Sequence, residues 1–141
     1  MPFELRFVYA MTAFAALAGV LSVAGIYYQD SAQSRTHAEA MTGGSVAAGK
    51  AAIGRYNCGA CHRIPGIGAA TGVAGPALNG IATRSFIAGT LPNDSPNLQR
   101  WLQHPQQVVP GNAMPEQGVT PRDARDIAAY LYTLRRYSGA R

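Results

Sequence analysis

The hydrophobic pattern of the chain begins with one long apolar run. From Phe7 to Tyr28, 22 residues carry no charge. As an α-helix this run would be about 33 Å long, enough to cross the roughly 30 Å hydrocarbon core of a bilayer. It is apolar on every side, which disfavours a core helix of a soluble domain, and Tyr27 and Tyr28 end it where interfacial aromatics are common. We therefore expect a transmembrane anchor at residues 1–28.

A cleaved signal peptide is the alternative interpretation, because Ser22-Val23-Ala24 has the small residues of a cleavage site. The run is longer than the roughly 7–15 apolar residues of a signal peptide, which favours a retained anchor. The next segment, residues 29–44, is polar and small without a periodic apolar face. It predicts a flexible tether in which His37 and Met41 are solvated and on which the body can swing.

Helical periodicity returns in the third segment, residues 45–141, and predicts an all-α body with three helices. The apolar positions are Val46, Gly49, Ile53 and Tyr56 in the first helix, Leu98, Trp101 and Leu102 in the second, and Ala124, Ile127, Ala128, Leu131 and Leu134 in the third. Ser45, Ser95 and Thr120 are the expected N-caps, and Pro105 must end the second helix near His104. Arg135 and Arg136 suit the negative end of the last helix.

Between the first two of these helices, residues 63–93 are rich in glycine, alanine and proline and show no long period. They predict a loop with at most one short turn. Such a segment cannot build a core of its own. It is explained if it wraps around a large, rigid, apolar group.

The positive charge of the chain indicates which kind of macromolecule it is expected to bind. The net charge is +5, charged residues are only 13% of the chain, and eleven of the twelve basic residues are arginine. From Ser31 onward there are eleven basic and five acidic side chains. A basic body suits an acidic docking surface on a protein. Nucleic acid is disfavoured because the arginines are spread along a chain that carries a membrane anchor.

Both cysteines of the chain lie in one motif, Cys58-Gly59-Ala60-Cys61-His62. This spacing is the attachment pattern of a c-type haem. Two thiols on one helical turn can form thioethers with neighbouring vinyl groups of a porphyrin. The histidine that follows can offer an imidazole nitrogen to the iron.

Other interpretations of the motif stay open from its spacing alone. The thiols could form a disulfide or a thioredoxin-like pair, although the flanks lack the strand of a βαβ unit. A zinc site needs four ligands, and no second pair of cysteines exists. A chance match to a short pattern is the third alternative. Haem is the interpretation that we favour.

A sixth ligand for such an iron is expected at Met114. A loop methionine is usually apolar filler, but Met114 is the only methionine of the predicted body. It stands between glycine and proline residues that stiffen the loop. The rival is His104, but a histidine at a helix end is more often a surface residue, so Met114 is preferred. Methionine and histidine together are an established ligand pair for haem iron.

With CGACH at residues 58–62 and PGNAMP at residues 110–115 in this order of helices and loops, the body resembles a class I cytochrome c. The resemblance covers roughly residues 45–136. The body is also similar to the cytochrome domains that are fused to, or associated with, subunit II of haem–copper oxidases. The resemblance implies the class I cytochrome c fold, with small helices wrapped around one haem c that is covalently bound through Cys58 and Cys61.

The resemblance also implies roles for individual residues. His62 and Met114 match the two iron ligands. Pro76 matches the proline whose carbonyl accepts the Nδ1 proton of the iron-bound histidine, which would fix the tautomer of that histidine. Arg84 matches a basic residue near the haem propionates, and Trp101 an aromatic residue beside the methionine sulfur.

The first and last helices of the body are expected to cross, with Gly49 and Ile53 against Ile127 and Tyr130. One departure concerns this crossing. The first helix lacks the usual aromatic residue at the crossing position, and Tyr56 is expected nearer the haem.

The implied function is one-electron transfer without catalysis or a small-molecule substrate. Donor and acceptor would be redox proteins of the membrane, with a quinol-oxidising complex or dehydrogenase giving electrons and a terminal oxidase receiving them. Arg6 weakly favours a cytoplasmic N-terminus, and bacterial haem attachment takes place outside the inner membrane. We expect a single-pass inner-membrane protein with a periplasmic haem domain. The alternatives are a fixed haem subunit of an oxidase or dehydrogenase complex and a ligand-binding or peroxidase-type haem protein.

Overall fold

The computed structural model describes residues 2–135, and helices dominate it. The helices are α1 at Phe3–Thr42, α2 at Val46–Arg55, α3 at Ser95–Gln103, α4 at Pro105–Val108 and α5 at Pro121–Thr133. Two short strands, β1 at Phe86–Ile87 and β2 at Leu91–Pro92, form an antiparallel pair. This confirms the predicted helical fold class. Arg136, which was expected near the end of the last helix, lies outside the described residues.

The chain divides into two compact units, with the boundary between Ser34 and Arg35. The first unit consists of most of α1. It is long and apolar enough to cross a membrane, and no residue of its apolar part is buried. A helix of this kind near an N-terminus suits a membrane anchor and also a signal sequence.

The segment 29–44 is not the flexible tether that its polar composition suggested, because α1 continues to Thr42. Between Phe3 and Thr42 the chain contains no proline, and its polar part is rich in alanine, glutamine and other good helix formers. The helix ends only at Gly43, whose φ of 69° suits a C-terminal glycine. The second unit therefore begins inside this helix rather than at Ser45.

The last turns of α1 belong to the body through specific contacts. Ala38 and Thr42 are buried. The Val46 amide at the start of α2 donates to Oε1 of Glu39 at 2.8 Å, and the Thr42 carbonyl accepts from Nε2 of Gln99 at 3.2 Å. These bonds satisfy backbone groups at the two helix ends that no intrahelical partner reaches.

The core of the body forms where α2 crosses α5, with α3 packed on α5 as well. A Cβ at Gly49 would overlap the carbonyl group of Asp126, so the crossing needs glycine there. Ile53 and Ile127 are each 1% exposed, and burial of such a side chain contributes about 1.5–3 kcal/mol. Tyr130 is also buried, and its hydroxyl donates to the carbonyl of Pro65 at 2.7 Å.

The helix caps follow the sequence at two of the three expected positions. Ser45 Oγ accepts from the Ala48 amide, and Thr120 Oγ1 accepts from the Asp123 amide. At α3 the cap is Asp94 instead of Ser95, because its Oδ1 accepts from the Asn97 amide at 2.9 Å. Asp94 is one residue earlier in the chain, and a carboxylate at this position also interacts favourably with the helix dipole.

The segment 63–93 holds more local structure than one turn. It contains a 3₁₀ turn at Ile81–Thr83 and the β1–β2 pair. Asn93 joins these parts, since its Nδ2 donates to the carbonyls of Ile81 and Arg84, each at 2.8 Å. The Tyr132 hydroxyl donates to Oδ1 of Asn93 at 3.0 Å. Burial, followed by the charge of Asp94, raises the pKa of Tyr132 to about 12.

Candidate haem-binding site

A cavity of about 400 Å³ lies in the body and is large enough for a cofactor site. Its walls are largely apolar and include the buried side chains of Ile53, Leu98 and Ile127. All seven site residues expected from the sequence line this one cavity. They are Cys58, Cys61, His62, Pro76, Arg84, Trp101 and Met114.

The two thiols lie on one short turn directly after α2. Residues Cys58–Ala60 form a 3₁₀ turn, and the amides of Cys61 and His62 both donate to the Cys58 carbonyl, at 3.3 and 3.0 Å. Both cysteines are free rather than joined in a disulfide. Burial raises the pKa of the Cys58 thiol, whereas the reactive thiol of a thioredoxin-like pair has a lowered pKa.

The His62 ring is oriented by a backbone carbonyl. Its Nδ1 lies 2.8 Å from the carbonyl oxygen of Pro76. Because this oxygen can only accept, Nδ1 must carry the proton, and the lone pair of the neutral ring is then on Nε2. The Gly75 amide donates to the Cys61 carbonyl at 2.8 Å, and a Cβ at Gly75 would overlap the His62 ring. The sequence Gly75-Pro76 thus lets the loop lie directly against the imidazole.

Met114 reaches the cavity from the loop between α4 and α5 and is half-buried. Its amide donates to Oδ1 of Asn112 at 2.7 Å, and its carbonyl accepts from Nε2 of Gln106 at 2.7 Å. No role for Gln106 or Asn112 was expected from the sequence. A glutamine pair after Pro105 has no distinctive spacing, so only the folded loop indicates this contact.

His104 does not line the cavity. Its side chain is 50% exposed, and its Nδ1 lies 4.0 Å from Oε2 of Glu116. His37 is exposed on α1. Within residues 2–135, no group of three or more histidine, cysteine, aspartate or glutamate residues is arranged to hold a metal ion. The described residues therefore do not provide the four such ligands that a structural zinc site needs.

Arg84 and Trp101 form half-buried parts of the cavity wall. The Arg84 guanidinium donates through Nη2 to the carbonyls of Ala77 and Asn79. Its charge is therefore held at the cavity by backbone contacts, with no acidic partner among the described residues. A cation in this position suits an anionic group on a ligand.

Tyr56 lies elsewhere than expected, because it does not line the cavity. Its hydroxyl donates to Oδ2 of Asp123 at 2.8 Å, and Arg55 donates to Oδ1 at 2.7 Å. The Tyr56 hydrogen bond and the nearby cations lower the pKa of Asp123. Tyr56 therefore joins the end of α2 to the start of α5 instead of facing a cofactor.

The residues of the cavity fit a c-type haem. Two thiols on one turn, an imidazole whose free nitrogen is Nε2, and a thioether sulfur form a donor set typical of haem attachment and iron ligation. The remaining wall is apolar, as a porphyrin face requires, and Arg84 supplies a cation.

Comparison with known proteins agrees with the geometry. A family model described as cytochrome c matches residues 46–135. Over 88 residues the chain is 35% identical to cytochrome c oxidase subunit 2 of Alkalihalophilus pseudofirmus, a match that covers 62% of this chain and 25% of that protein. Over 93 residues it is 32% identical to cytochrome c2 iso-2 of Magnetospirillum molischianum, covering 55% of this chain and 91% of that protein. No solved structure matches the chain at a significant level.

Proposed function

Because this chain belongs to the cytochrome c family, in which the proteins are electron carriers rather than enzymes, we propose that it is a membrane-anchored one-electron carrier with His62 and Met114 as iron ligands. The observation that carries the proposal is the 2.8 Å contact between His62 Nδ1 and the Pro76 carbonyl. This contact leaves Nε2 free to ligate iron. The partner carbonyl also makes the imidazole a stronger donor.

Each residue of the site has a defined task in this proposal. Cys58 and Cys61 would hold the porphyrin covalently, each through one thioether bond to a vinyl-derived carbon. When bound, haem supplies the one-electron iron couple. His62 and Met114 would both ligate the iron, which would leave no iron position open for oxygen or peroxide. A methionine and histidine pair raises the reduction potential.

Membrane attachment is proposed for residues 1–28. The apolar part of α1 supports it by length and composition. With a cytoplasmic N-terminus, the body would lie on the periplasmic side of the inner membrane, where covalent haem attachment takes place. Anchoring confines the carrier to the membrane plane and raises its local concentration near partners that bind it weakly.

Partners are proposed from chemistry and from one relative. The excess of basic side chains after Ser31 suits an acidic docking face and a weak encounter that salt screens. The similarity to an oxidase subunit supports a terminal oxidase as acceptor. A quinol-oxidising complex or a dehydrogenase is the proposed donor.

A second candidate, a fixed haem subunit of an oxidase or dehydrogenase complex, is favoured by the same similarity, since the matched relative is itself named as a complex subunit. The match covers only a quarter of that protein. The two candidates differ in stoichiometry. A carrier separates from the oxidase during purification in moderate salt, whereas a fixed subunit copurifies in a constant ratio to the oxidase haem.

Covalent attachment of one haem tests the site. The denatured protein should keep haem staining on a gel, and its mass should exceed that of the chain by one haem. Cys58→Ala and Cys61→Ala should each remove one thioether, while the double variant should lose its haem to acid acetone. Release of the haem from the unmutated protein by acid acetone would refute the attachment.

A further inference from the structure

The loop that carries Met114 has little apolar packing of its own. Pro110 and Gly111 are exposed and do not line the cavity. Local opening of such a segment costs little unless polar contacts hold it. The position of Met114 must therefore depend on hydrogen bonds to the loop backbone.

Gln106, in the short helix α4, makes hydrogen bonds to this loop through both the nitrogen and the oxygen of its side-chain amide. Its Nε2 donates to the carbonyls of Met114 at 2.7 Å and Asn112 at 2.9 Å. Its Oε1 accepts from the Gly111 amide at 3.1 Å. Its backbone amide donates to Oε1 of Glu116 at 3.0 Å, just beyond the loop. One side chain thus contacts the backbone of three residues among the four from 111 to 114.

Asn112 completes the attachment from inside the loop. Its Nδ2 donates to the carbonyls of Pro105 and Val109, at 2.8 and 2.6 Å, and its Oδ1 accepts from the Met114 amide. Pro105 is among the most deeply buried residues of the body. The loop is thereby tied to a part of the fold that does not move easily.

The geometry points to Gln106 as a positioning residue for Met114, one that sets how readily the methionine sulfur leaves the iron. It acts through the Met114 backbone and does not itself line the cavity. The inference rests on the proposed function, because only a Met114 that ligates iron has a bond to protect. Loss of its bonds should favour the open loop about tenfold, as expected for two or three ordinary hydrogen bonds in a partly solvated site.

The test compares Gln106→Leu with Gln107→Leu in the full-length, haem-loaded protein in detergent. Gln107 is the exposed neighbour on the same helix, so the control introduces the same side chain without touching the loop contacts. Imidazole is titrated into the ferric protein, where it competes with the sulfur for the sixth position. Amide hydrogen exchange of residues 111–114 is measured in parallel.

We expect Gln106→Leu to bind imidazole about tenfold more tightly than the unmutated protein and to exchange these amides faster. Gln107→Leu should change neither property. If the amides of Gln106→Leu exchange faster but its imidazole affinity is unchanged, Gln106 does not control how readily the Met114 sulfur leaves the iron. If amide exchange is unchanged, Gln106 does not position the loop at all. If Gln106→Leu is not recovered with haem, Gln106→Glu serves, since it keeps an acceptor for Gly111 but cannot donate to either carbonyl when ionised.

Failure of the proposed function would be visible without any Gln106 variant. In that case the unmutated ferric protein would lack the sulfur-to-iron charge-transfer band, and Met114→Ala would bind imidazole no more tightly than the unmutated protein. Failure of the inference alone would leave both of these properties as proposed. It would be seen only as the absence of an effect in the Gln106 variants.

Discussion

At the scale of single residues, hydrogen bonds from neighbouring groups orient the two proposed iron ligands. His62 is held by the Pro76 carbonyl, and Gly75 leaves room for the ring to approach the loop. Met114 is held through its backbone by Gln106 and Asn112. Such supporting groups fix ligand orientation and tune a metal as effectively as the ligands themselves.

Gly75→Ala should disturb His62, because the new Cβ would overlap the imidazole ring. We expect the free energy of unfolding to fall by about 1–3 kcal/mol. The reduction potential should rise, since a displaced ring loses basicity with its Nδ1 hydrogen bond. The matched control is Gly68→Ala, where a Cβ meets open space. Equal stability and potential in the two variants would show that the loop adapts without moving the ring.

Tyr132 should make the stability of the fold sensitive to alkaline pH. Burial raises its pKa to about 12, whereas an unfolded tyrosine ionises near pH 10. Between these values the folded state holds a proton that the unfolded state has lost. Stability is therefore full below about pH 10 and falls as the pH rises toward 12, at most by about 1.4 kcal/mol per unit.

Tyr132→Phe should reduce this dependence and leave the part due to Tyr130, whose pKa burial also raises. It should cost about 1 kcal/mol at neutral pH through loss of the bond to Asn93. Denaturant unfolding at several pH values, followed by Trp101 fluorescence, measures both effects. The stability advantage of the unmutated protein should fall from pH 9 onward and be lost before pH 12. A difference that stays constant over this range would contradict the assignment.

The ligand-type residues could be predicted because few chemistries use two cysteines and a histidine at this spacing. The supporting residues could not. Gln106 stands in no motif, and its contacts depend on a loop geometry that the sequence pattern does not encode. The prediction that Tyr56 lies near the haem was wrong for a related reason. Nothing in the spacing of Tyr56 along α2 indicates that Asp123 lies within reach of its hydroxyl.

At the scale of secondary-structure elements, the crossing of α2 and α5 organises the body. Periodicity predicted both helices, and Ser45 and Thr120 marked their starts. The last part of α1 was not predicted because residues 29–42 have no periodic apolar face. Intrinsic propensity and the absence of a breaker keep them in a helix. The glycine that ends the helix, Gly43, stands in the sequence directly after Thr42, whereas the contacts of Glu39 and Thr42 with the body are tertiary.

Two glycines of α2 give a matched test of the crossing. At Gly49 a Cβ would overlap the carbonyl of Asp126, and at Gly54 it would meet open space. Gly49→Ala should therefore destabilise the body by about 1–3 kcal/mol. Gly54→Ala should stabilise it by about 0.5–1 kcal/mol through helix propensity alone. Thermal unfolding distinguishes them, and shifts of the same sign would mean that the helices do not approach closely at Gly49.

At the scale of the whole molecule, the chain combines a basic haem-binding body with an apolar segment of membrane-spanning length. The low charge content and the long uncharged run made this division visible in the sequence. Composition alone does not distinguish a retained anchor from a signal sequence, because both begin with an apolar helix. That distinction depends on processing of the chain rather than on its folding.

Retention of the N-terminal segment is a prediction about the mature protein. We expect extraction from membranes to require detergent and the purified protein to keep its N-terminus, because about 22 apolar residues remain stably inserted. N-terminal sequencing and intact mass measure this directly. A soluble mature form that begins near Gly25 would identify residues 1–24 as a signal peptide instead.

The central claim, a one-electron carrier in which Met114 holds the sixth position of the iron, is tested most directly by absorption spectra of Met114→Ala and His104→Ala beside the unmutated protein. We predict that the unmutated ferric protein shows the weak near-infrared sulfur-to-iron charge-transfer band and that its reduced form does not bind carbon monoxide readily. Met114→Ala should lose the band, bind carbon monoxide and have a lower potential, while His104→Ala should keep the original properties. A band that survives in Met114→Ala, or ready carbon monoxide binding by the unmutated reduced protein, would contradict the account.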